Sequence, residues 1–64
     1  MPKHPEVTVV LVGEDGNAFS ILGKVRKALR KAGHHKSAEE FMEEATSGDY
    51  DHLLATAMDY VNVE

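Results

Sequence analysis

The chain has 64 residues, no cysteine, no tryptophan and a hydrophobic fraction of 42%. A single small domain is all that this length holds; it hides only about 60% of the surface its unfolded form exposes, which argues against a deep active-site cleft, and without cysteine there is neither a disulfide nor a thiolate zinc site. Eleven acidic against seven basic residues leave a net charge of −4, unlike a general nucleic-acid coat.

Residues 1–5 carry two prolines and read as a flexible start to one α+β domain spanning residues 1–64. The β-branched run Val7-Thr8-Val9-Val10-Leu11-Val12 predicts a strand. Val7, Val9 and Leu11 share one face, and Thr8, Val10 and Val12 share the other. Both faces call for cover, so Thr8, Val10 and Val12 form a candidate self-association face. The run is too short for a secretory leader or a membrane span, and a cytoplasmic protein without a membrane partner is the expectation.

Gly13-Glu14-Asp15-Gly16-Asn17 is a turn cluster in which Asp15 or Asn17 can cap the following helix. From Ala18 the period becomes helical, through Leu22, Val25, Leu29 and Ala32, ending near Gly33. Gly23 interrupts it at about 1 kcal/mol relative to Ala, either because another backbone passes close or because the position is unoptimised. Ser37-Ala38-Glu39-Glu40 has the form of a capping box, and Ala38, Phe41, Met42 and Ala45 then make one apolar stripe that stops by Gly48. Ser47 or Asp49 caps a third helix carrying Tyr50, Leu53, Leu54, Ala57 and Val61. Residues 60–64 alternate and predict a short terminal strand. The expected architecture is β-α-α-α-β: three helices on a short two-stranded sheet formed by the terminal strands, which either pair with each other or extend through a second copy.

A glycine-containing loop between strand and helix is the layout that cradles phosphates. Here Glu14 and Asp15 stand where an anion would sit, no lysine follows, and the same charges oppose the backbone contact of a GXXG loop. Glu14, Asp15 and Asn17 offer too few oxygens for calcium. Asp49 and Asp51 are explained by helix capping and the dipole. A zinc site built from His34, His35, His52 and a carboxylate demands a tetrahedral arrangement that adjacent, diverging histidines do not supply alone. No nucleophile elbow or Ser/His/Asp order is legible, so no catalytic residue, no metal ligand and no cofactor are assigned, and a non-enzymatic protein is expected.

Charge is distributed unevenly. Six of the seven basic residues lie within positions 24–36, while residues 39–64 hold eight acids and no Lys or Arg. Lys24, Lys27, Arg30 and Lys31 are a candidate basic binding face, although neutralisation by the acidic helix next door explains them as well. A helix-turn-helix reading fails because the third helix would bring Asp49, Asp51 and Asp59 to the phosphates and has no side chain suited to base edges. The expected role is therefore a protein-interaction or accessory module acting on a protein partner or as a homodimer. Weak nucleic-acid or anion binding through residues 24–36 is the disfavoured alternative.

The stretches Leu11-Val12-Gly13-Glu14-Asp15-Gly16-Asn17-Ala18-Phe19 and Ser47-Gly48-Asp49-Tyr50-Asp51-His52-Leu53-Leu54 resemble a family of small uncharacterised bacterial and phage-borne proteins with a GEDGNAF-like loop, a basic helix and an SGDYDHLL-like segment. The resemblance runs from about Val7 to Glu64. It implies a compact domain of a bacterium or its phage and no catalytic residue, and it suggests that residues 17–19 and 49–54 meet in space.

Overall fold

A computed structural model describes residues 1–11 and 16–64. It contains β1 (His4–Val9), α1 (Ala18–Lys31), α2 (His35–Ala45), α3 (Tyr50–Tyr60) and β2 (Val61–Val63), with the two strands paired in parallel. The expected β-α-α-α-β order and terminal pairing are both present. Among the described residues, no helix is long and apolar enough to cross a membrane.

The helices begin and end for local reasons. Asn17 caps α1, its Oδ1 accepting the Phe19 backbone N–H at 2.8 Å, and Asp49 caps α3 by accepting the His52 N–H at 2.9 Å. At the C-terminus of α1 the Gly33 N–H donates to Arg30 C=O at 3.0 Å and the His34 N–H to Leu29 C=O at 2.8 Å. This pair of bonds is a Schellman motif, which needs a left-handed residue just past the helix end. Gly33 supplies it, at φ +90°. Among the described residues nothing lies within 4 Å of a Cβ built on Gly23, so none of their backbone passes close there.

The clearest differences from the boundaries read in the sequence are in β1 and α2. The strand was expected over Val7 to Val12 but runs from His4 to Val9, because its register is set by β2 rather than by its own β-branched run. Lys3 N–H donates to Asp59 C=O at 2.8 Å, and His4 pairs with Val61. Between His4 and Thr8 the first strand advances four residues while the second advances one, from Val61 to Asn62, so β1 bulges through Pro5, Glu6 and Val7. Helix α2 starts at His35, two residues before the expected cap Ser37, which lies inside its first turn. The short Schellman turn leaves no room for a longer link, and the Ser37 hydroxyl meets His4 instead of the helix backbone.

Val25, Leu29, Ala38, Phe41 and Ala57 are fully buried and join the three helices, with Val7, Val9 and Val61 closing the core from the inner face of the sheet. Phe41 and Tyr60 meet edge to face, with ring centroids 5.6 Å apart and planes at 72°. Tyr60 is buried, at 2% exposed. Its hydroxyl donates to Glu44 Oε2 at 3.0 Å and accepts from Lys3 Nζ at 3.4 Å.

Burial, followed by the bond to Glu44, pushes the Tyr60 phenol above its usual range. The hydrogen bond to Tyr60 raises Lys3 as well. In both cases the folded state holds its proton more tightly than the unfolded chain, so the stabilisation is complete below the unfolded pKa and fades as pH rises through the folded one. The thermal midpoint is expected to fall above pH 10.0, the ordinary tyrosine value, and Tyr60→Phe should flatten that fall. Phenolate absorbance of a Tyr50→Phe variant isolates Tyr60 and should rise later than free tyrosine; an unshifted curve, or an alkaline slope unchanged in Tyr60→Phe, contradicts the assignment.

Candidate functional site

Two places on the molecule gather side chains with chemistry. The first lies where β1 passes the α1–α2 turn. His4 and Glu6 flank Pro5 in the bulged stretch of β1, and their side chains approach to 3.9 Å. The Schellman turn around Gly33 delivers His34 to meet them. The His4 and His34 rings stack with centroids 3.9 Å apart and planes inclined by 23°. Glu6 Oε2 lies 2.8 Å from His34 Nε2 and 3.9 Å from His4 Nδ1. On its far side, His4 Nε2 is 2.8 Å from Ser37 Oγ. The Glu6 backbone N–H, and then the bond from His34, hold the Glu6 carboxyl below the usual carboxylate range. Its side chain is 60% exposed against 18% for His4 and 30% for His34, so the cluster opens to water through the carboxylate.

Ser37, His4 and Glu6 thus stand in the order hydroxyl, imidazole, carboxylate. An activated serine needs its imidazole oriented by a third group within hydrogen-bond reach. At 3.9 Å the Glu6 oxygen falls outside that reach of Nδ1, and its short contact goes to His34. The arrangement does not complete a nucleophile.

The second place is a groove of ≈ 400 Å³ between β1 and α1, lined by Thr8, Val9 and Val10 on one wall and Lys24, Lys27, Ala28 and Lys31 on the other. Strand geometry orients it. Val9 C=O accepts from the Glu64 N–H, and the Leu11 N–H donates to Glu64 C=O. Alternation along the strand therefore turns the backbone groups of Thr8 and Val10 to the opposite edge, where Val10 C=O accepts from Lys24 Nζ at 3.3 Å. Among the described residues, no strand pairs with that outer edge. Val10 is 55% exposed.

The candidate basic face divides in two. Lys24, Lys27 and Lys31 line the groove beside β1. Arg30 lies further round α1, in a shallow hollow that it shares with Arg26, Lys27 and Lys31, and it and Arg26 each lie 3.6 Å from Glu39 on α2. Those pairs are exposed and stabilise by at most about 1 kcal/mol each, but they occupy both guanidiniums. In the candidate self-association face, Thr8 and Val10 point outward as expected, while Val12 lies outside the described residues, as do Gly13, Glu14 and Asp15 of the glycine loop.

His34, His35 and His52 are not brought together as a ligand set. His52 sits at the α2–α3 junction, its Nε2 2.9 Å from Glu44 C=O and 3.2 Å from Ser47 Oγ, and His35 is exposed. The group that converges among the described residues is His4, Glu6 and His34, with ligand-type atoms all within 4.8 Å of one another. Sequence reasoning missed His4 and Glu6 because the strand was started at Val7. The signal available was the spacing His-x-Glu at strand period.

The two motif stretches do meet: the Tyr50 hydroxyl donates to Gly16 C=O at 2.6 Å, and Ala18, Phe19 and Leu22 share a groove with Asp49, Tyr50 and Leu53. No protein-family model matches the chain, and neither a curated protein nor a solved structure shows significant similarity to it.

Proposed function

We propose that the protein is a non-catalytic interaction module that captures an acidic, extended segment of a partner protein along the outer edge of β1. The observation that carries this reading is the juxtaposition of outward-turned backbone groups at Thr8 and Val10 with the lysines of α1 across one groove. An added strand draws affinity from main-chain pairing and selectivity from the side chains that flank it. Here the flanking groups are Lys27 and Lys31, for which no ion-pair partner occurs among the described residues, so the preferred segment carries carboxylates.

The same chemistry weighs against the two other occupants. Two β1 edges meeting about a twofold axis present the same patch to each other, which would bring the Lys27 and Lys31 side chains of both copies to one seam. Nucleic acid gains from the lysines but makes no use of the strand edge, and the groove offers no aromatic platform for stacked bases.

The test is fluorescence anisotropy with a labelled peptide of alternating Glu and Val, a second alternating Lys and Val, and a short single-stranded oligonucleotide, each at low and high salt. Saturable binding of the Glu-Val peptide alone is expected. Reversing both Lys27 and Lys31 to Glu exchanges attraction for repulsion at two sites, each change worth about 0.5–1 kcal/mol, so binding should weaken by about ten- to thirtyfold. Tighter binding of the oligonucleotide, unaltered affinity in the doubly reversed variant, or a stable dimer that Val10→Arg dissociates would each overturn the reading.

A further inference from the structure

We propose that His4, Glu6 and His34 form a binding site for a borderline divalent transition metal ion, with zinc as the reference case and Ser37 orienting one ligand. The proposal is independent of the groove on β1 and departs from the sequence expectation that no metal ligand is present.

The donor set decides the class of ion. Two imidazoles and one carboxylate suit zinc and its first-row neighbours, whereas calcium and magnesium take mainly oxygen ligands and find only one such side chain here. Two histidines and one glutamate are also a recurrent set in zinc sites that keep a fourth position for water. The exposed carboxylate places that position on the solvent side.

The distances fit. Zinc bonds of about 2.0–2.2 Å in a tetrahedron place neighbouring donors about 3.3 Å apart. The two observed separations bracket that value: 2.8 Å from His34 Nε2 to Glu6 Oε2, and 3.9 Å from His4 Nδ1 to the same oxygen. Coordination therefore asks for shifts of about half an ångström per contact. It also asks the two rings, now 23° from parallel, to fan so that their lone pairs converge.

His4 is prepared for the role. Metal-bound histidines characteristically donate their other ring N–H to an oxygen, which fixes the tautomer and the ring plane. The Ser37 hydroxyl, 2.8 Å from His4 Nε2, is such an oxygen, and with the proton held there Nδ1 presents its lone pair toward Glu6. Ser37 can take this place because α2 begins two residues earlier than a Ser37 cap would require. A bound ion would clamp the first residues of β1 to the α1–α2 turn.

The experiment is calorimetric titration of zinc chloride into the tag-free 64-residue chain, together with NMR of the histidine ring protons. One ion per chain is expected, with ring signals of His4 and His34 moving while those of His35 and His52 stay. His4→Ala and His34→Ala should each weaken binding by at least about 100-fold and Ser37→Ala by about 10- to 100-fold, and His35→Ala should leave it unchanged. The absence of saturable uptake, ring shifts at His35 or His52 in place of His4 and His34, or equal loss in His35→Ala would overturn the proposal. Because the ring signals are read on the unsubstituted chain, the test holds even if a variant fails to fold.

Discussion

Replacing Phe41 by Ala is expected to remove about 3–5 kcal/mol of stability, about a third or more of the total. Phe41 is fully buried and lies where α2 faces the Tyr60 ring at the end of α3. Removing a buried phenylalanine side chain costs about 3–5 kcal/mol, the lost transfer free energy plus the cavity left behind. A chain of this length, at about 0.05–0.15 kcal/mol per residue, has only about 3–10 kcal/mol of stability to lose. No disulfide holds the unfolded chain together, since there is no cysteine. Phe19 is the internal contrast: it is 83% exposed, so Phe19→Ala should change stability by less than about 0.5 kcal/mol. Urea unfolding followed by far-ultraviolet circular dichroism reads both. A loss below about 1 kcal/mol for Phe41→Ala would mean that the core closes over the gap, and would remove Phe41 from its central place.

Gly48→Ala is the second large effect, and its sign is diagnostic. On chain entropy alone, a glycine replaced by alanine in a compatible conformation gains about 0.4–1 kcal/mol. At Gly48, however, an added Cβ would stand 2.7 Å from Cγ and 2.9 Å from Cβ of His52. The ring cannot swing away without cost, because its Nε2 lies 2.9 Å from Glu44 C=O and 3.2 Å from Ser47 Oγ, and the His52 N–H is bound to the Asp49 cap. The expected result is a loss of about 1–3 kcal/mol, the usual range for overpacking. In a His52→Ala background the same substitution should lose less, since the ring atoms at 2.7 and 2.8 Å are gone and only the Cβ contact at 2.9 Å remains. Stabilisation by Gly48→Ala, or equal penalties in the two backgrounds, would show that the junction yields freely. A double-mutant cycle with thermal melts decides between these outcomes.

These two positions differ in how visible they are in the sequence. Phe41 stands in an apolar stripe with Ala38, Met42 and Ala45, and its burial follows from helical period alone. Gly48 reads only as a helix stop; that its missing side chain makes room for His52 depends on how α3 leaves the turn. The functional residues divide in the same way. Lys24, Lys27, Arg30 and Lys31 could be named as one basic stripe from their spacing, but that Arg30 lies beside Glu39 required knowing where α2 packs. His34 was visible as a residue just past a helix end, whereas its meeting with His4 and Glu6 was not.

By itself the sequence determined the order of the elements, the extent of α1, the pairs of residues from which the caps of α1 and α3 are drawn, the glycine at which α1 ends, and most of the buried face of each helix. Each of these follows from interactions between residues at most a few positions apart, where period, propensity and side-chain capping act directly. The tertiary structure alone decided that the strands are parallel, that β1 starts at His4, that α2 starts at His35, and that two histidines, a glutamate and a serine converge. Those outcomes join residues about thirty to sixty positions apart, and their free energy comes from packing and pairing that exist only once the three helices have closed on the sheet.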